Sequence, residues 1–313
     1  MTAIGSRTAA RRNGRRRISV AARTNRDGLL MVSPTVIIVV AVVVIPVLWN
    51  VVLSFQGLSL LQIHGSGIFG HFTVANFTAV LTDSSFWSSL VVTVVYSVGS
   101  TVGSIVLGLV AALALRAKFP GRGIVRACML LPYVAPVVAV AFTWQMMLNS
   151  QFGIVNIWGQ HLFGWKSPIN FLSQSPWALL TVIAFDIWRY FPFAFLFITA
   201  RLQAVPADIE EAALVDGATP SQRFWHILMP QLSNIVALLA VLRLIMNFNK
   251  FDDVYLLTGG GAGTDVAAVR VYDLLTGAFD VGGAAAQALI LSLIMGVFLM
   301  VYLKFFVNKE AGA

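Results

Sequence analysis

The sequence predicts an all-α integral membrane protein with six transmembrane helices and both termini cytoplasmic, and three observations carry that prediction. Hydrophobic residues make up 58% of the 313-residue chain and charged residues only 11%, with a mean hydropathy of +0.84; soluble domains carry roughly 25% charged residues. Six apolar runs, at 29–54, 90–115, 124–148, 177–200, 232–257 and 287–307, have the ~20 residues that a helix needs to cross a bilayer. Basic residues alternate between the connections, sixteen on one side against two (Lys166 and Arg270) on the other. The positive-inside rule then makes both ends and the 201–231 connection cytoplasmic.

Residues 1–28 form a basic tail in which Arg7, Arg11, Arg12, Arg15, Arg16, Arg17, Arg23 and Arg26 precede the first run. A solvated segment touching anionic membrane lipid accounts for them. With no soluble domain and no interleaved aromatics, nucleic acid is not an expected partner. Arg16-Arg17 could open a secretion signal, but the run over 29–55 exceeds the 7–15 residues of a signal h-region and no small-residue cleavage site closes it. The run is expected to stay as an anchor of a 29–307 transmembrane domain, followed by a short cytoplasmic tail at 308–313. Cys128, the only cysteine, falls in the third run and reads as a core thiol. The connections at 56–89, 149–176 and 258–286 are then external and too short for a domain of their own.

The 201–231 connection is the most heavily punctuated segment. Pro206 suits a first helical position, and Asp208, Glu210 and Glu211 suit the positive end of the helix dipole. Gly217 supplies a stop. Thr219 caps a second short helix that has Pro220 first and Gln222 completing a capping box.

Two polar stripes interrupt the runs that flank this connection. Asp186, Arg189, Tyr190 and Phe193 share one face of the fourth run; Arg243, Asn247 and Lys250 share a face of the fifth, with Met246 on its flank. A basic group at mid-bilayer costs roughly 2.5–3.5 kcal/mol on translocon scales, so such faces meet protein or water. Three readings follow: a shared hydrated cavity, self-neutralising Asp186/Arg189 and Lys250/Asp253 pairs, or a face covered by a partner subunit. The chain lacks Gly-x-x-x-x-Gly-Lys-Ser/Thr, His-Glu-x-x-His and Gly-x-Ser-x-Gly, and none of its histidines (64, 71, 161, 226) lies in a span. No catalytic or metal-ligating set is expected.

The spacing Glu211-Ala212-Ala213, Gly217, Ile227, Pro230 resembles the EAA loop of the membrane subunits of binding-protein-dependent ABC importers, and Asp216-Gly217-Ala218 resembles the sugar-importer branch. Met229 stands where that family usually has Leu. Over roughly 34–306 the chain is similar to maltose-importer-type membrane subunits. The similarity runs through Pro34 and Pro46 to Ser54-Phe55, then Trp188 and Phe191-Pro192, Asn247-Phe248-Asn249-Lys250-Phe251, and Leu257-Thr258-Gly259-Gly260-Gly261, with Ala262 in place of a common proline.

The resemblance implies a type I ABC importer permease fold in a bacterial plasma membrane. It also implies a second homologous permease subunit, two ATP-binding cassette ATPase subunits that bind ATP and Mg in place of this chain, and an extracytoplasmic solute-binding protein. It assigns ATPase coupling to Glu211, Ala212, Ala213, Asp216, Gly217, Ile227 and Pro230. It assigns a substrate pathway to Arg189, Tyr190, Phe193, Arg243, Met246, Asn247 and Lys250, leaving neutral, acidic and phosphorylated sugars open. The competing expectation is an ion-gradient-driven transporter that uses Asp186 or Asp252-Asp253.

Overall fold

A computed structural model describes residues 31–62 and 71–304. The arginine-rich tail, Leu29, His64, the 308–313 tail and the last residues of the sixth run lie outside them. Within them the chain is helical, with α1 Met31–Ser54, α2 Ala75–Thr82, α3 Ser84–Ala114, α4 Arg122–Val134, α5 Val137–Leu148, α6 Ile154–Phe163, α7 Trp177–Gln203, α8 Ala207–Val215, α9 Pro220–Phe248, α10 Asp252–Thr258, α11 Ala267–Thr276 and α12 Val281–Tyr302.

Five of these helices (α1, α3, α7, α9 and α12) are long and apolar enough to cross a membrane alone. The third run instead breaks into α4 and α5, bent by 95°. Proline explains the break. Pro136 forces Ala135 out of the helical region, to φ −64° and ψ 142°, so a single straight span over 124–148 is corrected to a broken one.

The fifth run is corrected at both ends. Its helix begins at Pro220, so the second helix of the charged connection is the start of the span rather than a separate element. It stops at Phe248, and Asp252-Asp253 open α10, where carboxylates suit a helix N-terminus. The sixth helix starts at Val281, six residues before the expected 287, because the Asp280 side chain caps it by accepting from Gly283 N at 2.8 Å.

Two wide π turns, Val40–Val44 and Phe224–Leu228, each lie just ahead of a proline, Pro46 and Pro230. A proline ring collides with the carbonyl four residues back, and widening the turn relieves the collision. In each case the bond spans five residues: Ile45 N to Val40 O, and Met229 N to Phe224 O.

Helices α3 and α7 form the central pair. Apart from Phe86, Tyr96 and Ile105, the buried face of α3 is made of small residues, Ser89, Thr93, Ser97, Ser100, Thr101, Ser104, Gly108, Ala111 and Ala112, the composition that lets helix backbones approach in lipid. At Gly108 α3 lies against the α7 backbone itself, where an added Cβ would sit 2.7 Å from Ala194 Cβ and 2.8 Å from Phe195 N. Helix α9 packs on both. By contrast, α1 exposes apolar side chains along its length, including Ile37, Val42 and Leu48. Cys128 is exposed too, which corrects the core-thiol expectation. Hydropathy cannot separate a lipid-facing or partner-facing position from an interior one, since all are apolar.

Ala262 takes φ +53°, a left-handed conformation closed to proline, whose ring holds φ near −65°. The glycine-rich turn therefore takes a path here that the family's common proline could not follow.

Candidate functional site: a charged cluster and an acidic loop

Two regions gather the residues that the sequence singles out. The first is a cluster at the meeting of α3, α7 and α9. Asp186 of α7, fully buried, accepts from Arg243 Nη2 of α9 at 2.6 Å and from Tyr96 Oη of α3 at 3.2 Å. The Tyr190 ring lies beneath three cations, with Arg243 Cζ 4.2 Å, Lys250 Nζ 4.8 Å and Arg189 Cζ 5.6 Å from its centroid. Cations over an aromatic face are attracted by its quadrupole, more strongly where water is excluded. Lys250 also donates to Tyr190 Oη at 2.6 Å and pairs with Asp252 at 2.9 Å and Asp253 at 3.4 Å.

The Asp186/Arg189 pairing within one helix does not form. Asp186 turns to Arg243 on the neighbouring helix, while Arg189 donates to Ala135 O at 3.1 Å. The Pro136 break frees that carbonyl from the helix ladder, and the guanidinium satisfies it. The Lys250/Asp253 pairing does form. Arg189, Arg243 and Lys250 thus share one cluster with Asp186, Asp252 and Asp253, three positive charges against three negative.

The seven residues of the expected substrate pathway are not equivalent in space. Arg189, Tyr190, Arg243 and Lys250 converge. Asn247 is buried one turn from Arg243 and donates to Thr101 Oγ1 of α3 at 3.2 Å. Phe193 lies on an aromatic stripe, 6.1 Å from Tyr133 and 4.9 Å from Phe197 by ring centroids. Met246 is exposed. Tyr96, Tyr133 and the Ala135 carbonyl belong to the site and were not singled out from the sequence. Tyr133 had a signal in the prolines on either side of it, Pro132 and Pro136, which mark an interrupted helix at mid-span.

The second region is the acidic loop. Pro206 sits at the N-cap of α8 rather than at its first position, with Asp208 and Glu210 in the first turn. The helix ends in a Schellman arrangement: Ala218 N bonds Ala213 O at 2.9 Å, Gly217 N bonds Leu214 O at 3.1 Å, and Gly217 takes φ +75°. Thr219 and Gln222 then form the expected capping box, with Gln222 N to Thr219 Oγ1 at 3.3 Å and Thr219 N to Gln222 Oε1 at 2.8 Å.

Glu211, Ala212, Asp216, Gly217 and Pro230 are exposed, Ala213 and Ile227 half-buried. Among the described residues Glu211 has no ion-pair partner. Around it stand bare apolar groups: Leu214 is 54%, Val215 88% and Trp225 60% exposed. His226, also exposed, lies on the same connection.

Comparison with known proteins agrees with this architecture. Residues 104–310 match the family of binding-protein-dependent transport system inner membrane components. The chain is 33% identical over 287 residues to the trehalose/maltose transport system permease protein MalF of Thermococcus litoralis, covering 90% of this chain and 94% of that protein. It is 35% identical over 270 residues to the inner membrane ABC transporter permease protein YcjO of Escherichia coli, covering 85% and 89%. In fold it resembles a chain from the crystal structure of a bacterial ABC transporter involved in the import of the acidic polysaccharide alginate, with TM-score 0.77, 21% identity and coverage of 91% and 96%. A helical bundle with a broken third span, matched to that family over most of its length, belongs to the binding-protein-dependent inner membrane components: the chain is a membrane-embedded permease subunit of an ABC importer.

Proposed function

We propose that this permease forms half of the translocation pathway for a sugar or related polyol, paired with a second homologous permease subunit. In this reading 1–28 and 308–313 are cytoplasmic tails on a 29–307 transmembrane domain in a bacterial plasma membrane. Two cytoplasmic ATPase subunits bind ATP and Mg and carry out the hydrolysis. A solute-binding protein delivers ligand from the other side.

The observation that carries the proposal is the acidic loop. An α8 helix stopped by Gly217 and a following turn fixed by the Thr219 capping box present Glu211, Leu214, Val215 and Trp225 with no cover from the described residues. Rigid local geometry joined to bare apolar and charged groups suits a docking site. Glu211, Ala212, Ala213, Asp216, Gly217, Ile227 and Pro230 act there as the coupling segment. Because the loop continues directly into α7 and α9, its displacement moves both helices that carry the charged cluster.

For the ligand, the charge balance of the cluster favours a neutral molecule over an acidic or phosphorylated one. Tyr133 and Phe193 offer aromatic faces to the apolar side of a sugar ring, with Tyr190 buried behind them under its cations. Arg243 and Asn247, enclosed by protein, support that surface from behind. A gradient-driven mechanism meets both of its candidate sites already engaged, Asp186 by Arg243 and Tyr96 and the Asp252-Asp253 pair by Lys250.

The test is ATPase stimulation in the reconstituted complex, screened with trehalose, maltose and glycerol 3-phosphate. Stimulation by a neutral sugar is expected. Transport by the purified chain unaided, or labelling of Val215→Cys from the side that the binding protein contacts, overturns the reading.

A further inference from the structure

The Glu210 side chain, next to Glu211 on α8, points the other way. Arg116 grips it with both guanidinium nitrogens: Nη1 donates to Oε2 at 2.7 Å and Nη2 pairs with Oε1. The partners are 94 residues apart in sequence. Arg116 lies two positions beyond the end of α3, and its own backbone is held firmly. Its N–H bonds Leu113 O at 3.2 Å, and the preceding Leu115 is buried, with its carbonyl accepting from Arg126 Nη2 at 3.1 Å. A two-pronged guanidinium–carboxylate contact fixes direction as well as distance.

What makes this contact consequential is how little else holds α8. No described side chain of the helix is buried, and nine residues are too few for a helix to be stable alone. Among the described residues, the two hydrogen bonds of the Arg116 fork are the only side-chain hydrogen bonds from α8 to the rest of the chain. The opposite stretch of α3 carries Tyr96 against Asp186 and Thr101 against Asn247. One helix thus touches the loop at its end and the charged cluster along its length.

We propose that the Arg116–Glu210 pair is a positioning contact that sets the angle at which α8 is presented and makes α3 a second route from the loop to the cluster, beside the covalent route through α7 and α9. The inference rests on reading 201–231 as the docking loop. The role is geometric, because a partly exposed ion pair contributes little to global stability.

The experiment uses the full importer complex in lipid nanodiscs, in a Cys128→Ser background with nitroxide labels at Phe119→Cys and Ile209→Cys, both exposed positions. The parent is expected to give a narrow label-to-label distance distribution. Glu210→Gln and Arg116→Gln broaden it, and the Arg116→Glu/Glu210→Arg exchange narrows it again. In parallel, stimulation of ATPase activity by the binding protein with trehalose as probe falls about 5-fold in the single variants, the low end of coupling between sites, and recovers in the exchange. Unchanged widths in the single variants, or an exchange as broad as they are, overturn the proposal. Should a single variant fail to reach the membrane, accumulation of the exchanged pair supports the contact and its absence overturns it. If the parent complex binds no ATPase subunit, the docking reading fails while the distances still decide the contact.

Discussion

The cluster around Tyr190 and the loop around Glu211 are both rich in charge inside a chain that is mostly apolar, yet they treat charge in opposite ways. In the cluster every carboxylate faces a cation of the same chain, and Arg243 is enclosed completely. In the loop Glu211 has no partner among the described residues and stands beside exposed Leu214, Val215 and Trp225. The difference follows from where each charge can be compensated. A buried ion must find its counterion within the fold, whereas a group at an aqueous edge can wait for another molecule. Internally paired charge therefore marks the joint between helices, and unpaired charge on a rigid turn marks the place where a partner arrives.

The sharpest way to break this contrast is to remove one half of the buried pair. Asp186→Ala leaves Arg243 enclosed without its counterion and is expected to cost roughly 3–5 kcal/mol, read as a fall in the thermal midpoint of the purified protein. Asp186→Leu with Arg243→Met should recover much of that loss, and a double variant no better than Asp186→Ala would count against the pairing. Next in size, Gly108→Leu forces a side chain against Ala194 and the Phe195 backbone and should cost roughly 1–3 kcal/mol by overpacking. Its effect is to part α3 from α7, which the same thermal measurement checks.

Changes in the loop should be milder for stability and harsher for function. Gly217→Val puts a branched residue at φ +75°, a local penalty of about 1–2 kcal/mol. An added Cβ there meets open space, so the bundle stays intact while sugar-stimulated ATPase activity separates from uptake. Normal coupling in that variant at normal expression would sink the docking role of the turn. Smallest is Thr219→Ala, which loses the cap at a cost of about 1 kcal/mol. It is expected to quicken hydrogen exchange at Ser221 and Gln222 without shifting the global midpoint.

The loop was nearly complete in the sequence because its determinants are local. Gly217, Thr219, Pro220 and Gln222 each act within three or four residues, and their spacing specifies the Schellman end and the capping box without reference to the rest of the chain. The cluster was only half legible. Periodicity placed Asp186, Arg189 and Tyr190 on one face and Arg243, Asn247 and Lys250 on another, but a stripe does not say which residue it will meet. The short-range Asp186/Arg189 pairing lost to a bond across helices, because the Pro136 break offered Arg189 a bare carbonyl and α9 brought Arg243 to Asp186. The broken third span was a missed use of Pro132 and Pro136, both visible in a run that hydropathy treats as continuous.

By itself the sequence determined the number of apolar passages, the basic alternation between their connections, and the glycine stop and capping box of the acidic loop. Each depends on composition or on neighbours within a turn or two. Only the tertiary structure decided that Arg243 belongs to Asp186, that Glu210 belongs to Arg116, and that Cys128 and most of α1 face outward. Those outcomes depend on which helix faces lie side by side, and an apolar surface looks the same in sequence whether lipid, a partner subunit or another helix will cover it.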